Sequence, residues 1–412
     1  MSNFIGIRYE DKYAMERRAP LTPRHVSKLV HQKKLDIIIQ HSDKRIFSDE
    51  EYMKAGAKVS RDLKKCSVIF GVKEIPLEAF EPGKTYVFFA HVIKGQPHNM
   101  PMLRRMMELK CNLIEYERVI DEQGKRLIFF GHYAGLAGMI NTLWALGLRL
   151  KDFGFSSKLA RIKQARHYES LKDARDDISA VGQLVAEYGI PHELRPFVVA
   201  FTGYGNVSHG AQEILGLLPV KEISPDKLLT LHHRKQLPDN LIYKVVFREE
   251  DLVERIDGAS FDLQDYYVNP QFYRSRFELF IPLISVLINC IYWDSRYPRL
   301  VTKEYLKKLF AKGKPKLIII GDISCDVEGS VECTLKPAKI ESPVYVYDPE
   351  NQTVTDGHHQ EGMLMMAVDI LPAELPRDAS ESFGDVLINF IKPIADADFD
   401  EHFDDLDLPR AI

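Results

Sequence analysis

Three sets of charged side chains follow apolar stretches that predict β-strands. In α/β proteins, binding and catalytic groups usually lie at the carboxyl ends of parallel strands. Taken singly, each is most simply a solvated charge or a histidine satisfied by backbone. Together, several cations and two candidate proton carriers suit a substrate with more than one carboxylate. The sets are Lys73 and Glu74 after 68–72, His91 with Lys94 and Gln96 after 86–90, and Arg126 with Glu117 around the turn at 123–124.

A strand, a glycine turn and a helix follow one another at 197–213. Residues 198–201 form a continuous apolar run, typical of a parallel strand buried on both faces. Gly203 and Gly205 follow, and a helical pattern begins near Val207. Such a turn lets backbone approach a pyrophosphate at a helix start. Ser208 replaces the third glycine of the usual fingerprint, but the flanking elements favour dinucleotide binding over an ordinary tight turn. A methyl-donor nucleotide is the lesser rival.

Asp322 follows another predicted strand, at 317–321. Two interpretations of this carboxylate stay open. It could reach the cofactor ribose or an incoming amine, or it could cap a turn. A set of charges at Glu16, Arg17 and Arg18 also precedes a predicted helix that Pro23 opens.

Length and composition limit the class of protein. With 412 residues the chain is expected to form two domains. A net charge of −4 and the lack of a basic run argue against nucleic acid as a partner. No apolar stretch reaches the roughly 20 residues of a membrane span, and the first residues lack signal-peptide and transit-peptide features. We therefore expect no membrane partner and a cytoplasmic location.

The cysteines and histidines give no pattern of metal ligands. The five cysteines are an odd number without a CxxC pair, which predicts reduced thiols. The doublets at 232–233 and 358–359 should point in different directions on a regular element, and no HExxH occurs. The sequence therefore predicts no metal site.

Alternating patterns predict an α/β fold with two Rossmann-like domains, parallel sheets and an interdomain cleft. A substrate domain is expected over 1–133 and 343–412, since a segment after a nucleotide domain often packs on the first domain. The dinucleotide-binding domain is expected over 134–342. The lysine-rich connector at 155–172 suggests a lid. The acidic C-terminal stretch has Phe399, Phe403 and Leu406 on one side and is predicted to form a solvated helix. Strands are predicted at 5–8, 36–40, 68–72, 86–90, 113–116, 127–130, 220–223, 241–247 and 317–321, and helices at 102–109, 136–150, 176–188, 280–292 and 382–391.

Seven stretches, spread in order over nearly the whole chain, resemble a known family. The chain is similar to lysine-forming saccharopine dehydrogenases and, more closely, to the lysine-ketoglutarate reductase half of the bifunctional aminoadipic semialdehyde synthase. Both belong to the alanine dehydrogenase and transhydrogenase superfamily. The stretches are ERRAPLTP (16–23), GVKEIP (71–76), FFAHVIKGQ (88–96), GHYAGLAGMIN (131–141), FTGYGNVSHGAQ (201–212), GDISCDVEGSVECT (321–334) and LPAELPRDAS (371–380).

The resemblance implies an NAD(P)-dependent oxidoreductase that condenses lysine with 2-oxoglutarate through an imine to give saccharopine, or runs the reverse reaction. Lys73 and His91 match the family's acid–base pair, and Glu74 would tune Lys73. These small molecules would be its partners, in a monomer or small homo-oligomer. The positions that match the substrate site are Arg18, Glu74, Lys94, Gln96, Glu117 and Arg126, and those that match the cofactor site are Gly203, Tyr204, Gly205, Asn206, Val207 and Asp322.

The choice between NAD and NADP stays open, with a lean to NADP from the closer relative. Glu222 could bind the ribose of NAD, whereas Ser224 with Arg234 or Lys235 could accept the extra phosphate of NADP. Tyr204 and His209 depart from the family's TGTGNVSKGA pattern. The alternatives are an alanine or other small amino-acid dehydrogenase of the same superfamily, and a catalytically silent NAD(P)-binding regulator.

Overall fold

The computed structural model describes residues 4–93, 95–231, 233, 236–399, 408 and 412. The chain divides into two compact units: Met1–Phe130 with Pro376–Ile412, and Gly131–Leu375. Each unit is built on its own sheet. The predicted α/β class with two Rossmann-like parallel sheets is therefore confirmed.

The first unit has a six-stranded, all-parallel sheet in the order β3-β2-β1-β4-β5-β6. Its central strands are buried apolar runs, as expected where helices cover both faces. The first helix begins at Pro23 after Thr22, and a capping box of Ser48 and Glu51 begins the second. The elements are β1 Phe4–Ile7, α1 Pro23–Lys33, β2 Ile37–Gln40, α2 Asp49–Lys54, β3 Lys58–Ser60, β4 Cys66–Phe70, β5 Thr85–Phe88, α3 Met100–Glu108 and β6 Asn112–Glu115.

The second unit has an eight-stranded sheet in the order β15-β14-β16-β13-β12-β7-β9-β8. It is parallel except at β14, which runs antiparallel to both neighbours. A separate antiparallel pair joins β10 and β11. The elements are α4 Gly131–Asp152, α5 Leu171–Tyr188, β7 Phe197–Thr202, α6 Asn206–Leu215, β8 Val220–Glu222, α7 Pro225–Leu231, β9 Ile242–Phe247, α8 Glu249–Leu252, β10 Val253–Arg255, α9 Leu263–Val268, β11 Tyr273–Ser275, β12 Val286–Asn289, α10 Lys303–Ala311, β13 Ile319–Asp322, β14 Val344–Asp348, β15 Thr353–Asp356 and β16 Met363–Met366; α11 Pro376–Asp396 returns to the first unit.

Two predicted elements are wrong. Residues 280–292 were expected to form a helix but contain short 3-10 turns and β12. A continuous apolar run does not distinguish a helix from a doubly buried strand, and β12 lies between β7 and β13. Residues 127–130 are not a strand either. Phe130 instead stacks on Phe383 of α11, with centroids 4.5 Å apart.

The domain assignment of 343–375 also needs correction. These residues were expected to return to the first domain, but the chain returns only at Pro376. β16 pairs with β13, and β14 pairs with β16, which extends the second sheet. Strand pairing over long sequence distances decided this boundary, and local patterns do not encode it.

The lysine-rich connector at 155–172 contains two short 3-10 turns. Leu159, Ile162 and Ala165 within it are buried. A Cβ atom at Gly147 of α4 would lie 2.6 Å from the Leu159 backbone, so the connector packs closely on α4. The predicted lid function stays a prediction. Of the acidic end, only Phe399 of the three predicted apolar positions lies within the described residues.

Among the described residues, none of the helices combines the length and apolar character needed to cross a bilayer.

Candidate active site

The candidate catalytic residues of the first unit lie where its strand order reverses. From β1 the chain builds β2 and β3 on one side, and then β4, β5 and β6 on the other. Ligands of open α/β sheets bind beside the carboxyl ends of strands at such a switch point. Lys73 follows β4, His91 follows β5, and the segment after β1 supplies Glu10 and Lys12.

Glu74 and His91 are in direct contact. The Nδ1 atom of His91 lies 2.8 Å from Oε1 of Glu74, and Lys12 Nζ lies 2.5 Å from the same oxygen. Burial opposes ionisation of Glu74, but these two partners outweigh it and lower its pKa to about 2. Because an ionised carboxylate only accepts hydrogen bonds, Nδ1 carries a proton. Nε2 is then the ring nitrogen that can exchange a proton with a substrate.

Lys73 is partly buried beside other cations. Burial lowers its pKa, and the positive charges of Arg18 and Lys12 lower it further, against the opposing effect of Glu74 and Glu16. A lysine with a lowered pKa can act as a proton carrier closer to neutral pH. The structure thus places Lys73, Glu74 and His91 at the carboxyl ends of neighbouring strands, as the sequence predicted.

Two buried glutamates that the sequence analysis missed hold the backbone at these residues. Glu10 accepts hydrogen bonds from the amides of Val72 and Lys73, at 2.7 and 2.8 Å. Burial raises the pKa of Glu10 to about 7, with Glu16 adding to the effect. The only signal for Glu10 was an acidic residue three positions after a strand, which is common in surface loops.

Glu115, the last residue of β6, does the same for His91. Its Oε2 accepts from the amides of Ala90 and His91 at 2.8 and 2.9 Å, and its Oε1 accepts from the amide of Glu117 at 3.1 Å. His91 has a φ of +51°, a left-handed conformation that is strained for a side-chain-bearing residue. The buried carboxylate therefore stabilises the backbone conformation that sets the direction of the imidazole.

Arg18 lies in this unit but is paired within the protein. Its Nε and Nη2 atoms donate to Glu16 at 2.8 and 2.5 Å, and both side chains are almost fully buried. The guanidinium also lies 4.2 Å from the ring centre of Phe130. One fork of Arg18 is thus occupied by Glu16, so its predicted contact with a substrate carboxylate would have to use its other nitrogen.

The remaining predicted substrate residues are less closely joined. Arg126 is exposed, and its Nη2 lies 2.8 Å from Oε1 of Glu117. Gln96 is half-buried and precedes a 3-10 turn at Pro97–Asn99. Lys94 lies outside the described residues. Glu117 is linked to the His91 backbone through Glu115, whereas the contact of Gln96 with a substrate stays a prediction.

The predicted glycine turn of the second unit is present. β7 ends at Thr202, and α6 begins at Asn206. Gly203 has a φ of +87°, which favours glycine. No atom lies within 4 Å of a Cβ built at Gly205, so the backbone there borders open space. With the amides of Asn206 and Val207 at the helix start, this turn fits a pyrophosphate.

α4 packs closely on α6, the helix that follows the turn. A Cβ atom at Gly210 would lie 2.1 Å from the carbonyl oxygen of His132, and one at Gly135 would lie 1.9 Å from that of Val207. Gly210 thus permits close packing of α6 on α4, whereas the third glycine of the usual fingerprint permits close packing of the helix on a strand.

The predicted ribose site at Glu222 and Ser224 is not beside the glycine turn. β8, which carries Glu222, is the edge strand, and β9 lies between it and β7. Glu222 pairs in register with Lys244 and forms an ion pair with it at 2.7 Å. Ser224 is exposed, and Arg234 and Lys235 lie outside the described residues. Strand order, which the sequence pattern does not give, thus separates Glu222 and Ser224 from the glycine turn by one strand. Their contact with the cofactor ribose stays a prediction.

Asp322 is also placed differently from the prediction of a cofactor contact. It is 1% exposed, and it accepts hydrogen bonds from Asn289, Cys325 and Thr334 at 2.8, 3.2 and 2.6 Å. Burial raises its pKa to about 6 despite these donors. In this structure Asp322 ties the ends of β12 and β13 to the following loop, which agrees with the alternative of a cap.

Two of the sequence stretches that carry the resemblance meet in a buried pair. Asn141 of the GMIN stretch donates to Glu374 of LPAELP at 2.7 Å, and its Oδ1 accepts from the amide of Ala165 at 2.9 Å. Burial raises the pKa of Glu374 to about 8. This pair was not predicted, because its members are 233 residues apart.

The expectation that the doublet at 358–359 diverges is wrong. The Nδ1 atoms of His358 and His359 lie 2.6 and 3.1 Å from the carboxylate of Asp152. The residues lie on a turn after Gly357, not on a regular element, and Arg149 binds the carbonyls of His358, Gln360 and Gly362. Within the described part of the chain, this is the one group that could hold a metal ion. The expectation that the protein holds no metal stays a prediction.

Two solved structures share the fold of this chain. An L-alanine dehydrogenase matches with a TM-score of 0.57 at 17% identity, over 95% of this chain and 90% of that one. A transhydrogenase from Sinorhizobium meliloti matches with a TM-score of 0.54 at 14% identity, over 95% and 92%. The chain thus has the fold of alanine dehydrogenases and transhydrogenases.

Curated relatives are similar in sequence over nearly the whole chain. Alpha-aminoadipic semialdehyde synthase of Arabidopsis thaliana is 39% identical over 95% of this chain and 38% of its own length, and the mitochondrial enzyme of Bos taurus is 37% identical over 94% and 43%. A saccharopine dehydrogenase [NAD(+), L-lysine-forming] of Neurospora crassa is 25% identical over 93% and 89%. The chain therefore spans about two fifths of the two synthases and most of the fungal enzyme.

A family model for the N-terminal domain of alanine dehydrogenase/PNT matches residues 6–137. The chain is thus a homologue of alpha-aminoadipic semialdehyde synthases and lysine-forming saccharopine dehydrogenases, with an alanine dehydrogenase/PNT N-terminal domain. The resemblance drawn from the sequence stretches is confirmed.

Proposed function

We propose that this chain interconverts L-lysine, 2-oxoglutarate and NAD(P)H with saccharopine, NAD(P)+ and water. The observation that carries the proposal is the contact of Glu74 with His91, beside a lysine of lowered pKa at the switch point of the first sheet. The relatives named for saccharopine and lysine support the choice of substrates. The alternative of a small amino-acid dehydrogenase is less favoured, because its support is the fold and the family model for residues 6–137, whereas the relatives similar over nearly the whole chain are named for saccharopine and aminoadipic semialdehyde.

Imine formation needs protons to move at one nitrogen and one oxygen. Lys73, when neutral, takes a proton from the ε-ammonium of the substrate lysine so that the amine can attack the ketone of 2-oxoglutarate. His91 gives the proton of Nε2 to the carbinolamine oxygen, which leaves as water. Glu74 stays ionised and stabilises the imidazolium through Nδ1. In the reverse direction both groups exchange their roles.

The substrates carry three carboxylates, which require cations. Arg126, the remaining nitrogen of Arg18 and Lys94 are the proposed partners, with Glu117 and Gln96 orienting the amino groups. Gly203, Gly205 and the amides of Asn206 and Val207 would hold the pyrophosphate of the cofactor. A bound nicotinamide would supply the hydride that reduces the imine, or accept it in the reverse direction.

Initial rates test this function. We expect NAD(P)H oxidation that needs both lysine and 2-oxoglutarate, with NADPH preferred over NADH. Activity with pyruvate and ammonia instead would establish the alternative dehydrogenase, and cofactor binding without turnover would indicate the silent regulator. The bovine relative is named as mitochondrial, whereas we propose a cytoplasmic location, which fractionation of cells with the native chain would test.

Variants test the residues. Lys73→Met and His91→Gln should each lower kcat by at least about tenfold, since general acid–base catalysis usually contributes about 10²–10⁴-fold. The exposed residues Lys65 and His98 of the same unit supply matched controls, Lys65→Met and His98→Gln, which should keep wild-type turnover. Normal kcat in both site variants would reject the assigned roles.

A further inference from the structure

The end of β9, not that of β8, is the neighbour of the glycine turn. Thr202 at the end of β7 pairs in register with Phe247 at the end of β9. The amide of Gly203 also donates to the carbonyl oxygen of Phe247 at 3.2 Å. Arg248 and Glu249, which follow Phe247 directly, therefore lie beside the turn that fits the pyrophosphate.

Tyr204, the residue between the two glycines of the turn, contacts both of these residues. Its hydroxyl donates to Oε2 of Glu249 at 3.1 Å. The guanidinium carbon of Arg248 lies 4.8 Å from the centre of the Tyr204 ring. The hydroxyl of Tyr267 donates to the other oxygen of Glu249, also at 3.1 Å. The carboxylate is thus fixed from both sides while Arg248 remains exposed.

This arrangement contains the two kinds of side chain with which proteins discriminate between NAD and NADP. A carboxylate at the end of the strand next to the glycine turn can accept hydrogen bonds from the ribose 2′-hydroxyl, and an arginine there can pair with a 2′-phosphate. A carboxylate has about four acceptor positions, so the two tyrosine hydroxyls leave room for a further donor on Glu249. A phosphate dianion at the same place would be repelled by Glu249 and attracted by Arg248.

We propose that Tyr204, Arg248 and Glu249 form the subsite for the adenosine ribose of the dinucleotide. In this subsite Arg248 favours the 2′-phosphate of NADP, and Glu249 favours the 2′-hydroxyl of NAD. The inference rests on the proposed function only in assuming a nicotinamide dinucleotide at the glycine turn.

Glu222 supplies the contrasting position. Two strand spacings separate β8 from β7, which is about 10 Å. Its register partner Lys244 also lies three residues before Phe247, a further distance of about 10 Å along the strand. Glu222 is an exposed carboxylate of the same unit and therefore serves as the matched control for Glu249.

The experiment measures binding without substrates. Fluorescence titrations of the full chain give the Kd of NADH and of NADPH for wild type, Glu249→Gln, Arg248→Gln, Arg248→Lys and Glu222→Gln. Relative to wild type, we expect the affinity for NADPH to rise at least about tenfold compared with that for NADH in Glu249→Gln. We expect it to fall about tenfold compared with that for NADH in Arg248→Gln. The reason is that each change adds or removes a charge-assisted contact with one cofactor only. Arg248→Lys should keep part of the preference for phosphate, and Glu222→Gln should leave the ratio within about twofold.

Several outcomes overturn the subsite. They are a ratio that changes in Glu222→Gln and not in the other variants, an equal loss of both cofactors in the Arg248 and Glu249 variants, and no dinucleotide binding by wild type. Wild type that binds a dinucleotide but shows no turnover with lysine and 2-oxoglutarate rejects the proposed reaction alone. The binding ratios still decide the subsite in that case.

Discussion

Removal of the Glu115 carboxylate tests whether the backbone at His91 needs external support. Hydrogen bonds to a charged group each stabilise by about 1.5–3 kcal/mol, so the two bonds to Ala90 and His91 together contribute about 3 kcal/mol or more. The left-handed conformation of His91 costs about 1–2 kcal/mol. The carboxylate therefore outweighs the strain, and its loss reverses the balance.

The expected size of the effect follows from that balance. With about 1.4 kcal/mol of strain and no carboxylate, about one molecule in ten keeps His91 in its observed conformation. We therefore expect Glu115→Ala to lower kcat about tenfold, with a smaller change in KM. Glu115→Gln keeps one acceptor oxygen and should lose less. Glu108→Gln, an exposed carboxylate on α3, is the control and should behave as wild type.

The assay combines steady-state kinetics with pH profiles. If Glu115 acts by positioning His91, kcat of Glu115→Ala should depend less on pH than kcat of wild type, and Glu115→Gln should restore part of that dependence. Circular dichroism and thermal unfolding check that the variants fold. A folded Glu115→Ala enzyme with wild-type kcat and an unchanged pH profile would refute the reasoning.

Three further predictions concern other parts of the molecule. Because burial raises the pKa of Glu374 from its ordinary 4.5 to about 8, the folded state binds the extra proton, and stability should fall as pH rises from about 4.5 to 8. In urea unfolding, the free energy of unfolding of Glu374→Gln should depend less on pH over this range than that of wild type. The same pH dependence in both proteins would contradict the raised pKa. Arg126→Gln should raise KM for the carboxylate substrates about tenfold and leave kcat nearly unchanged, by loss of a charged contact. An unchanged KM removes Arg126 from the substrate site. Gly205→Ala should leave the melting temperature unchanged, since a Cβ there meets no atom within 4 Å, but it should weaken NADPH binding at least about tenfold by filling space near the pyrophosphate. Unchanged binding would place the cofactor elsewhere.

The sequence by itself determined the features that depend on neighbouring residues. The strand, glycine turn and helix at 197–215, the capping box before α2 and the helix start at Pro23 are all encoded by short-range chemistry. The position of charged groups directly after β4 and β5 was also predicted, since parallel strands place their carboxyl ends at the same end of a sheet. These parts include Lys73, Glu74 and His91.

Only the tertiary structure decided which distant segments meet. The placement of β9 between β7 and β8 separates Glu222 from the glycine turn, and the pairing of β16 with β13 places 343–375 in the second unit. Glu10 and Glu115 became identifiable only when their carboxylates were found on the backbone amides at Lys73 and His91. Strand order and side-chain contacts between remote residues depend on the packing of the whole sheet, and a local pattern holds no record of them.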